Sequence, residues 1–390
     1  MHMTEHQITY PCACCGYFTL SEPGGSYEIC PVCFWEADPI QNDDPEYVGG
    51  ANRISLNEAR RNFAELGAVD REMRQHVRPP RDDERSPSGP RVSVVLVHWE
   101  RASVEDTVAC LESLAATTYP RLSTILVNNG ATGLPDEPFL KALPGLRIIR
   151  TTENLGFTGG NNVGIRSALA DGADYVLLLN NDTVVSPKLV EKLLAAFDRP
   201  EVGIVGPIVT YFSHPNRAWF AGGRYNRYLG YTFHTLMGDE LTGPLPNQPT
   251  DFVTACALLA RREVFERVGL LWEALFIYFE DAELCLRAAR GGFQCVLVGE
   301  PLVRHKVSAS MGAVGELPFS PLKGYYFGRN PLLMARRGLA GPWSAIGLLG
   351  LLGVIYPYNI LQCLKRRNWR ALRGYLAGIR DGVLGRHGPR

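Results

Sequence analysis

The sequence predicts an α/β protein, because short apolar runs alternate with amphipathic segments and several of these runs end in polar side chains. The run at residues 175–179 has no polar break, which is typical of a strand that is covered on both faces of a sheet. Ligands bind beyond the carboxyl ends of such strands. We therefore expect a site where the strands end. The predicted strands are residues 92–98, 123–130, 146–150 and 175–182, and the predicted helices include residues 103–116 and 161–170.

The length and charge of the chain limit the number of domains and the kinds of partner that we expect. Its 390 residues suffice for two or three domains, and 40 Lys and Arg balance 40 Asp and Glu, so nothing favours a nucleic-acid partner. The N-terminus is polar and runs into a cysteine cluster without a secretory signal, so we expect a cytoplasmic protein with reduced or metal-bound cysteines. The predicted division is a cysteine-rich module (1–80), a Pro- and Arg-rich linker (81–90), a catalytic domain (91–335) and a helical tail (336–390).

Two C-x-x-C pairs near the N-terminus predict a metal site. Cys12 and Cys15 form one pair, and Cys30 and Cys33 form the other, at a spacing that suits four thiolates around Zn²⁺. A disulfide or a redox pair is disfavoured by the expected compartment and by the lack of a surrounding βαβ pattern, whereas iron in the same cage stays an alternative. Cys14 is a spare thiol or a substitute for a neighbour.

The cysteine region resembles the cysteine-rich CPCC family over about the first 80 residues. The likeness is carried by residues 10–17, 25–36 and 49–60, with Ala13 at a position where the family name implies proline. The resemblance implies a small zinc-ribbon-like module and no reaction. Within it, Ser55 and Glu58 predict the capped start of a helix that reaches Leu66.

Two further segments carry candidate ligand-binding residues. Asn180, Asn181 and Asp182 follow the apolar strand, where a hard cation or a phosphate is expected, although an Asx turn capping a helix near Pro187 explains the same residues. Residues 153–162 are rich in glycine and lead into a helix, which suits backbone contact with a phosphate or a sugar. A tight turn is the alternative.

Several motifs in order resemble the family 2 glycosyltransferases, and the rhamnosyltransferase-like group in particular. They are residues 92–98, 154–162, 179–182, 276–287 and 303–310. The resemblance implies a Rossmann-like sheet of the nucleotide-diphospho-sugar transferase (GT-A) type. It implies inverting transfer from a nucleotide-diphosphate sugar, with dTDP-rhamnose as one candidate, to a glycan or lipid-linked acceptor during surface polysaccharide or cell-wall synthesis.

The resemblance also implies roles for individual residues. Asp182 would hold Mg²⁺ or Mn²⁺ with His305 as a second ligand, and Asn180 departs from the family by replacing an acid. Asp281 would be the general base and Glu280 would position the acceptor, although both also fit an acidic first helical turn. Asp251 would border the acceptor side. The predicted donor-binding residues are Asn128, Asn154, Gly156, Gly159, Asn161, Asn180 and Asn181.

The tail predicts attachment to a membrane surface. Residues 343–364 are largely apolar but are interrupted by Pro357 and Asn359, and a run that contains Lys365, Arg366 and Arg367 follows. This pattern favours peripheral or re-entrant contact with the inner face of the plasma membrane over a full span. A helical hairpin packed on the catalytic domain is the alternative. For the whole chain, the competing function is a catalytically degenerate glycan- or nucleotide-sugar-binding protein.

Overall fold

The computed structural model describes residues 9–307, 320–338 and 341–390, which form two compact units. The first unit contains residues 9–91 and 118–122. Its regular elements are β1 (Tyr10–Pro11), β2 (Phe18–Leu20), α1 (Pro39–Asp43) and α2 (Leu56–Leu66), with 3₁₀ turns at Met73–His76 and Asp82–Arg85.

Local signals explain the elements of the first unit. The Ser55 hydroxyl accepts a hydrogen bond from the Glu58 backbone amide, as the sequence predicted for the start of α2, and Gly67 ends the helix with a left-handed φ of 75°. The predicted linker is ordered by an ion pair between Arg78 and Glu84, whose side chains are 2.5 Å apart. Trp35 and Leu56 pack with the cysteines in a small apolar core.

The second unit begins with an alternation of strands and helices, as the sequence predicted. The elements are β3 (Val92–Trp99), α3 (Val104–Ala115), β4 (Leu122–Asn129), α4 (Glu137–Ala142), β5 (Arg147–Thr151), α5 (Gly156–Ala170), β6 (Tyr175–Leu179), β7 (Thr183–Val185) and α6 (Leu189–Leu194). There follow β8 (Val202–Tyr211), β9 (His214–Phe220), β10 (Gly223–Asn226), β11 (Tyr231–His234), β12 (Gln248–Thr250), β13 (Ala257–Arg261), α7 (Arg262–Val268), α8 (Glu280–Arg290) and β14 (Gln294–His305).

The main sheet places a site at the ends of β3 and β6. Its order is β12-β14-β8-β13-β6-β3-β4-β5, and β3 runs parallel to β6 while β4 runs parallel to β5. The part β5-β4-β3-β6 has the strand order of a doubly wound fold, which reverses between β3 and β6 and binds ligands there. Because β13 runs antiparallel to both β6 and β8, the sheet is mixed, which is the GT-A-like arrangement. The end of β6 therefore lies at the switch point.

One sequence prediction is wrong in the glycine-rich segment. Residues 156–160, which we predicted as loop, form the first turns of α5. Glycine normally disfavours a helix, but Gly160 and Gly164 let this helix lie against β3, since an added Cβ would stand 2.9 Å from Val97 and 2.2 Å from Val95. Close packing against β3 therefore outweighs the low helix propensity of glycine.

The helices after the sheet pack against one another by backbone contact. They are α9 (Pro321–Arg336), α10 (Ser344–Gly350), α11 (Tyr356–Lys365) and α12 (Trp369–Val383), and a π-helical turn at Leu351–Ile355 joins α10 to α11. Gly374, Gly378 and Gly382 form a ridge on α12. A Cβ added to Gly374 or Gly378 would lie 2.2 and 1.9 Å from carbonyl oxygens of α9. We call these three residues the glycine ridge.

Candidate active site and metal centre

The four cysteines of the two C-x-x-C pairs converge in the first unit. The Sγ atoms of Cys12 and Cys33 lie 3.5 Å apart, those of Cys15 and Cys30 lie 3.6 Å apart, and all four lie within 4.8 Å of one another. Hydrogen bonds from the other three sulfurs lower the pKa of the Cys30 thiol, which favours the thiolate that a metal binds. The cluster can therefore hold a metal ion. Cys14 is also buried but lies outside the group of four.

Asp182 and His305 meet at the switch point of the sheet, although 123 residues separate them. β7 pairs with the end of β14, which brings His305 Nε2 to 3.0 Å from Asp182 Oδ1. The Trp219 ring stands edge-on to the imidazole, with ring centroids 4.5 Å apart. Burial opposes the charged imidazolium, but Cys256 and Asp182 outweigh it and raise the pKa of His305 to about 10. The two predicted ligands are thus adjacent.

The donor set fits an open cation site better than a closed one. Within the described ranges, the cysteines are the one group of three or more potential protein ligands, so Asp182 and His305 form a pair. His305 Nδ1 is buried and has no hydrogen-bond partner among the described residues. A carboxylate and an imidazole suit Mn²⁺, and the remaining positions would be open to water and to diphosphate oxygens.

The turn after β6 does not cap the next helix. Helix α6 begins at Leu189 without a side-chain cap, so the alternative explanation of the Asn-Asn-Asp sequence does not apply. Instead, the Asn181 Nδ2 donates to the Thr107 hydroxyl at 2.7 Å, and the Asn180 carbonyl accepts from the Thr183 hydroxyl at 2.7 Å. These bonds fix the turn that presents Asp182.

Glu280 and Asp281 begin α8, and Glu280 is buried whereas Asp281 is partly exposed. The backbone before them is strained, because Phe276, Tyr278 and Phe279 have φ values of 65°, 69° and 70°, which side chains with a Cβ rarely adopt. We call residues 276–279 the corner. Asp281 Oδ2 accepts from the Ala255 amide at 3.2 Å, so the carboxylate is held at the end of β13.

Burial affects the pKa values of both carboxylates, but their other surroundings differ. It raises the pKa of Glu280 well above its ordinary value, and the charge of Asp281 raises it further. Burial also raises the pKa of Asp281, but backbone amides and the nearby His234 oppose the rise. Both shifts favour the protonated carboxyl over the carboxylate, and Glu280 Oε2 has no hydrogen-bond partner among the described residues. The helix-start explanation is also correct, since both acids lie in the first turn of α8.

Asn129 joins the glycine-rich segment to the end of β4. Its Nδ2 donates to Asn154 Oδ1 at 3.1 Å and to the Gly156 carbonyl at 2.9 Å, and its Oδ1 accepts from the Leu155 amide. Gly156 has a φ of 74°, and an added Cβ would stand 2.5 Å from the Phe276 ring. The segment therefore packs directly against the corner.

Other predicted donor-side residues have local structural partners. Asn128 Oδ1 accepts from the Ala131 amide at 2.9 Å, and Asn161 Nδ2 donates to the Phe157 carbonyl within α5. Gly159 packs against Leu155, because an added Cβ would lie 2.7 Å from its Cβ. Asp251 Oδ2 accepts from the Tyr225 amide at 2.9 Å and so anchors β10. Donor or acceptor contact by these residues stays a prediction.

Sequence reasoning missed three residues near the site. His234, on β11, packs against Phe220 with ring centroids 5.0 Å apart and interacts electrostatically with Asp281. Arg329 and Asn330, on α9, are fully buried; Asn330 donates to the corner, and Arg329 donates to Leu275 just before it. None lies in a local motif that reveals its role, although an Arg-Asn pair inside an apolar helix is a signal of buried polar bonding. Residues 308–310 of the last resemblance motif lie outside the described residues.

Comparisons with known proteins agree with this geometry. Residues 10–84 match the family model Cysteine-rich CPCC, and residues 93–269 match the family model Glycosyl transferase family 2. An N-acetylglucosaminyl-diphospho-decaprenol L-rhamnosyltransferase of Mycobacterium tuberculosis is 26% identical over 288 residues, which cover 68% of this chain and 92% of that protein. The dTDP-rhamnosyl transferase RfbF of Shigella flexneri is 24% identical over 216 residues, which cover 55% and 71%.

A solved structure is also similar to the chain. It is the mannosyltransferase PcManGT from Pyrobaculum calidifontis in complex with GDP-Man and Mn²⁺, with a TM-score of 0.48 and 14% identity over 76% of this chain and 88% of that one. From the family matches and the rhamnosyltransferase relatives, the chain is a glycosyltransferase in which a family 2 catalytic domain follows a cysteine-rich CPCC module.

Proposed function

We propose that the chain transfers a sugar, with inversion, from a nucleotide-diphosphate sugar to a hydroxyl of a glycan or lipid-linked acceptor in surface polysaccharide or cell-wall synthesis. The observation that carries this proposal is the pair of adjacent carboxylates at the start of α8, of which Asp281 is held in place by the Ala255 amide. The rhamnosyl transfer named for the mycobacterial and Shigella relatives makes dTDP-rhamnose the first donor to test.

Asp281 has the properties of the general base. Its carboxylate is held by the Ala255 and Ala282 amides at 3.2 and 2.7 Å, and no described residue forms a salt bridge with it that would neutralise its charge. A raised pKa brings a carboxylate nearer to the working pH, which improves proton abstraction from the acceptor hydroxyl. Glu280 would position the acceptor. Direct attack of the hydroxyl on the anomeric carbon inverts that centre.

Asp182 and His305 would hold a divalent cation, Mn²⁺ or Mg²⁺, and the cation would supply charge stabilisation on the departing diphosphate. The protein itself fixes the direction from which the cation would be approached, because the turn at residues 180–182, which carries Asp182, is bonded to Thr107 and Thr183. Asn129 holds the start of α5 in place beside it. The helix N-terminus there favours an anion.

The apolar helix of the tail supports an acceptor at a membrane surface. Ser344–Lys365 is the one described helix that is long and apolar enough to cross a bilayer, with a mean hydropathy of 1.6. One face packs on α12, where Asn359 Nδ2 donates to the Tyr375 hydroxyl. The opposite face exposes Leu349, Val354 and Tyr358 by 70%, 52% and 58%. A helix with one packed face lies on a membrane more readily than it spans one.

Exposed basic residues complete the proposed membrane surface. Lys365, Arg366, Arg367, Arg370 and Arg373 are exposed beside it, and Trp369 is 62% exposed. Basic side chains next to an apolar face bind anionic lipid. We expect the protein to sediment with vesicles that contain anionic phospholipid and to bind purely zwitterionic vesicles much less. Arg366→Glu should weaken the anionic binding, and equal binding to both vesicle types would contradict the proposal.

The central test is transfer by the purified full chain. Nucleotide-sugars are screened first for thermal stabilisation, and donor hydrolysis and transfer are then measured with and without added Mn²⁺. Asp281→Asn should lower transfer by about 10²- to 10⁴-fold, the usual contribution of a general base, while donor affinity changes little. Binding of a nucleotide-sugar without turnover of any donor would instead support the degenerate binding protein.

A further inference from the structure

The corner before the catalytic acids needs an external support. Three of its four residues have positive φ, and none of the four is glycine. Such a backbone persists only where its surroundings over-determine it. On one side, the Thr158 amide donates to the Phe276 carbonyl at 3.1 Å. The Ile277 and Tyr278 carbonyls point toward α9, while the Phe279 carbonyl accepts from the Glu283 amide within α8.

A single amide on α9 satisfies these carbonyls. Asn330 Nδ2 donates to the backbone oxygens of Ile277 at 2.8 Å and Tyr278 at 2.9 Å. It also donates to the oxygen of Leu275, just before the corner, at 3.1 Å. The side chain is fully buried, so water does not compete for these bonds. One amide group therefore contacts three carbonyl oxygens within residues 275–278.

Arg329 fixes the orientation of that amide. Its Nε donates to Asn330 Oδ1 at 2.9 Å, which forces Nδ2 to face the corner. Its Nη2 donates to the carbonyls of Leu275 and Ala274 at 2.8 and 3.0 Å. The guanidinium lies over the Tyr326 ring, 4.8 Å from the centroid, and has no carboxylate partner among the described residues. Its charge is therefore directed at backbone oxygens.

We propose that Asn330 is a positioning residue for sugar transfer: its amide, oriented by Arg329, holds the corner so that Asp281 faces the acceptor hydroxyl. The inference rests on the proposed role of Asp281 as the base. Nothing in the local sequence assigns a role to Asn330, which lies 55 residues beyond Leu275. The residue touches neither substrate nor reacting atoms and acts through the backbone that leads into α8.

The expected effect on the base follows from its surroundings. Asp281 interacts with Glu280 and Cys285 on its own helix, and His234 and Cys256 interact with it from neighbouring segments. Burial is the largest cause of its raised pKa. When the corner loosens, water reaches the carboxylate, and the pKa of Asp281 falls toward its ordinary value.

The test compares Asn330→Ala with Asn359→Ala as a matched control. Asn359 is another buried amide of the helical region, and its Nδ2 donates to the Tyr375 hydroxyl at 2.9 Å without contact to the corner. For both variants, Tm, kcat, KM for donor and acceptor, and the pH profile of kcat/KM are measured with a soluble acceptor. Hydrogen exchange is followed in a peptide that covers residues 276–283.

For Asn330→Ala we expect kcat to fall about 10²-fold, the loss typical of an active-site misplacement of roughly 1 Å, with donor KM little changed. The acidic limb of the pH profile should move to lower pH, and amides in residues 276–283 should exchange faster. Asn359→Ala should lower Tm while its kcat and acidic limb match those of the unaltered chain. Asn330→Asp, which keeps the shape but places an oxygen against three carbonyls, should reproduce the loss.

Two results would overturn the inference in different ways. If Asn330→Ala and Asn359→Ala lower Tm alike and neither changes kcat or the acidic limb, while Asp281→Asn is inactive, Asn330 is only a structural residue. If Asp281→Asn transfers sugar normally, the assignment of the base fails, and the inference fails with it. The Asp281→Asn measurement therefore separates the two failures.

Discussion

The four-cysteine cluster and the catalytic centre are both buried and polar, yet they have opposite consequences for stability. The cysteine cluster has four like ligands in two short knuckles, and closing them on a metal would stabilise a unit whose apolar core is small. The proposed catalytic centre has a buried Glu280, a partly exposed Asp281, and a His305 Nδ1 without a hydrogen-bond partner among the described residues. It also follows a strained corner. The cysteine cluster would therefore stabilise the fold, whereas the acids and the strained corner of the proposed catalytic centre lower its stability and would support reactivity.

The largest effect is expected from Cys30→Ser. Structural zinc contributes an apparent binding energy of about 10–16 kcal/mol, so loss of one of four ligands should release the metal and unfold the first unit. Metal analysis and limited proteolysis of the full chain report both changes. Cys14→Ser is the matched control, because Cys14 is also buried but lies outside the group of four, and this variant should keep the metal. If the first unit of the unaltered protein were folded but contained no metal, the proposed stabilising role of the metal would be contradicted.

Asp182→Asn should affect activity far more than stability. Removing the carboxylate from an open cation site should lower transfer by about 10²-fold at limiting Mn²⁺, and excess Mn²⁺ should recover part of the activity. The metal content of the first unit should not change. A loss of Tm comparable to that of Cys30→Ser would mean that Asp182 is structural, which would remove the distinction between the two sites.

His305→Gln should have a smaller effect in the same direction. Water can replace one ligand of an open site, so we expect about a tenfold rise in the Mn²⁺ concentration required for half-maximal transfer. The double variant with Asp182→Asn should lose less than the sum of the single losses in free energy, because both residues act on one ion. Strict additivity would show that the two residues act independently.

Glu280→Gln should raise stability slightly at neutral pH. The folded pKa of Glu280 lies above the unfolded value, so the folded state binds a proton more tightly, and stability falls as the pH rises from the unfolded pKa to the folded one. The neutral amide avoids this loss. We expect Tm to rise by about 2–4 °C for each kcal/mol recovered at neutral pH, with no gain below the unfolded pKa, while transfer decreases. An equal Tm at all pH values would contradict the buried-acid description.

The sequence was sufficient where local pattern decides the structure. The apolar run ending at Leu179, the Ser55 cap and the cysteine spacing each depend on neighbours in the chain, and the structure confirms them. The start of α5 at Gly156 was mispredicted, because glycine propensity is a local signal and the approach of β3 is not.

Contacts between distant segments set the rest of the site. Asn330 reaches the corner from 52 to 55 residues away, and His234 approaches Asp281 from a separate hairpin. A single sequence does not record such pairings, since the residues involved are ordinary polar side chains without a shared motif. The acids could be found from their position after an aromatic segment, but the residues that hold them could not.

The glycine ridge of α12 has a practical consequence for anyone who shortens this protein. Gly374 and Gly378 leave no side chain between α12 and α9, so the two helices interlock and cannot slide past each other without a clash. Helix α12 is therefore a structural part of the enzyme, in addition to the role proposed for the tail at a membrane surface. A truncation that removes α12 to improve solubility would expose the face of α9 that packs on α12. Because α9 carries Asn330, we expect the truncated enzyme to be inactive.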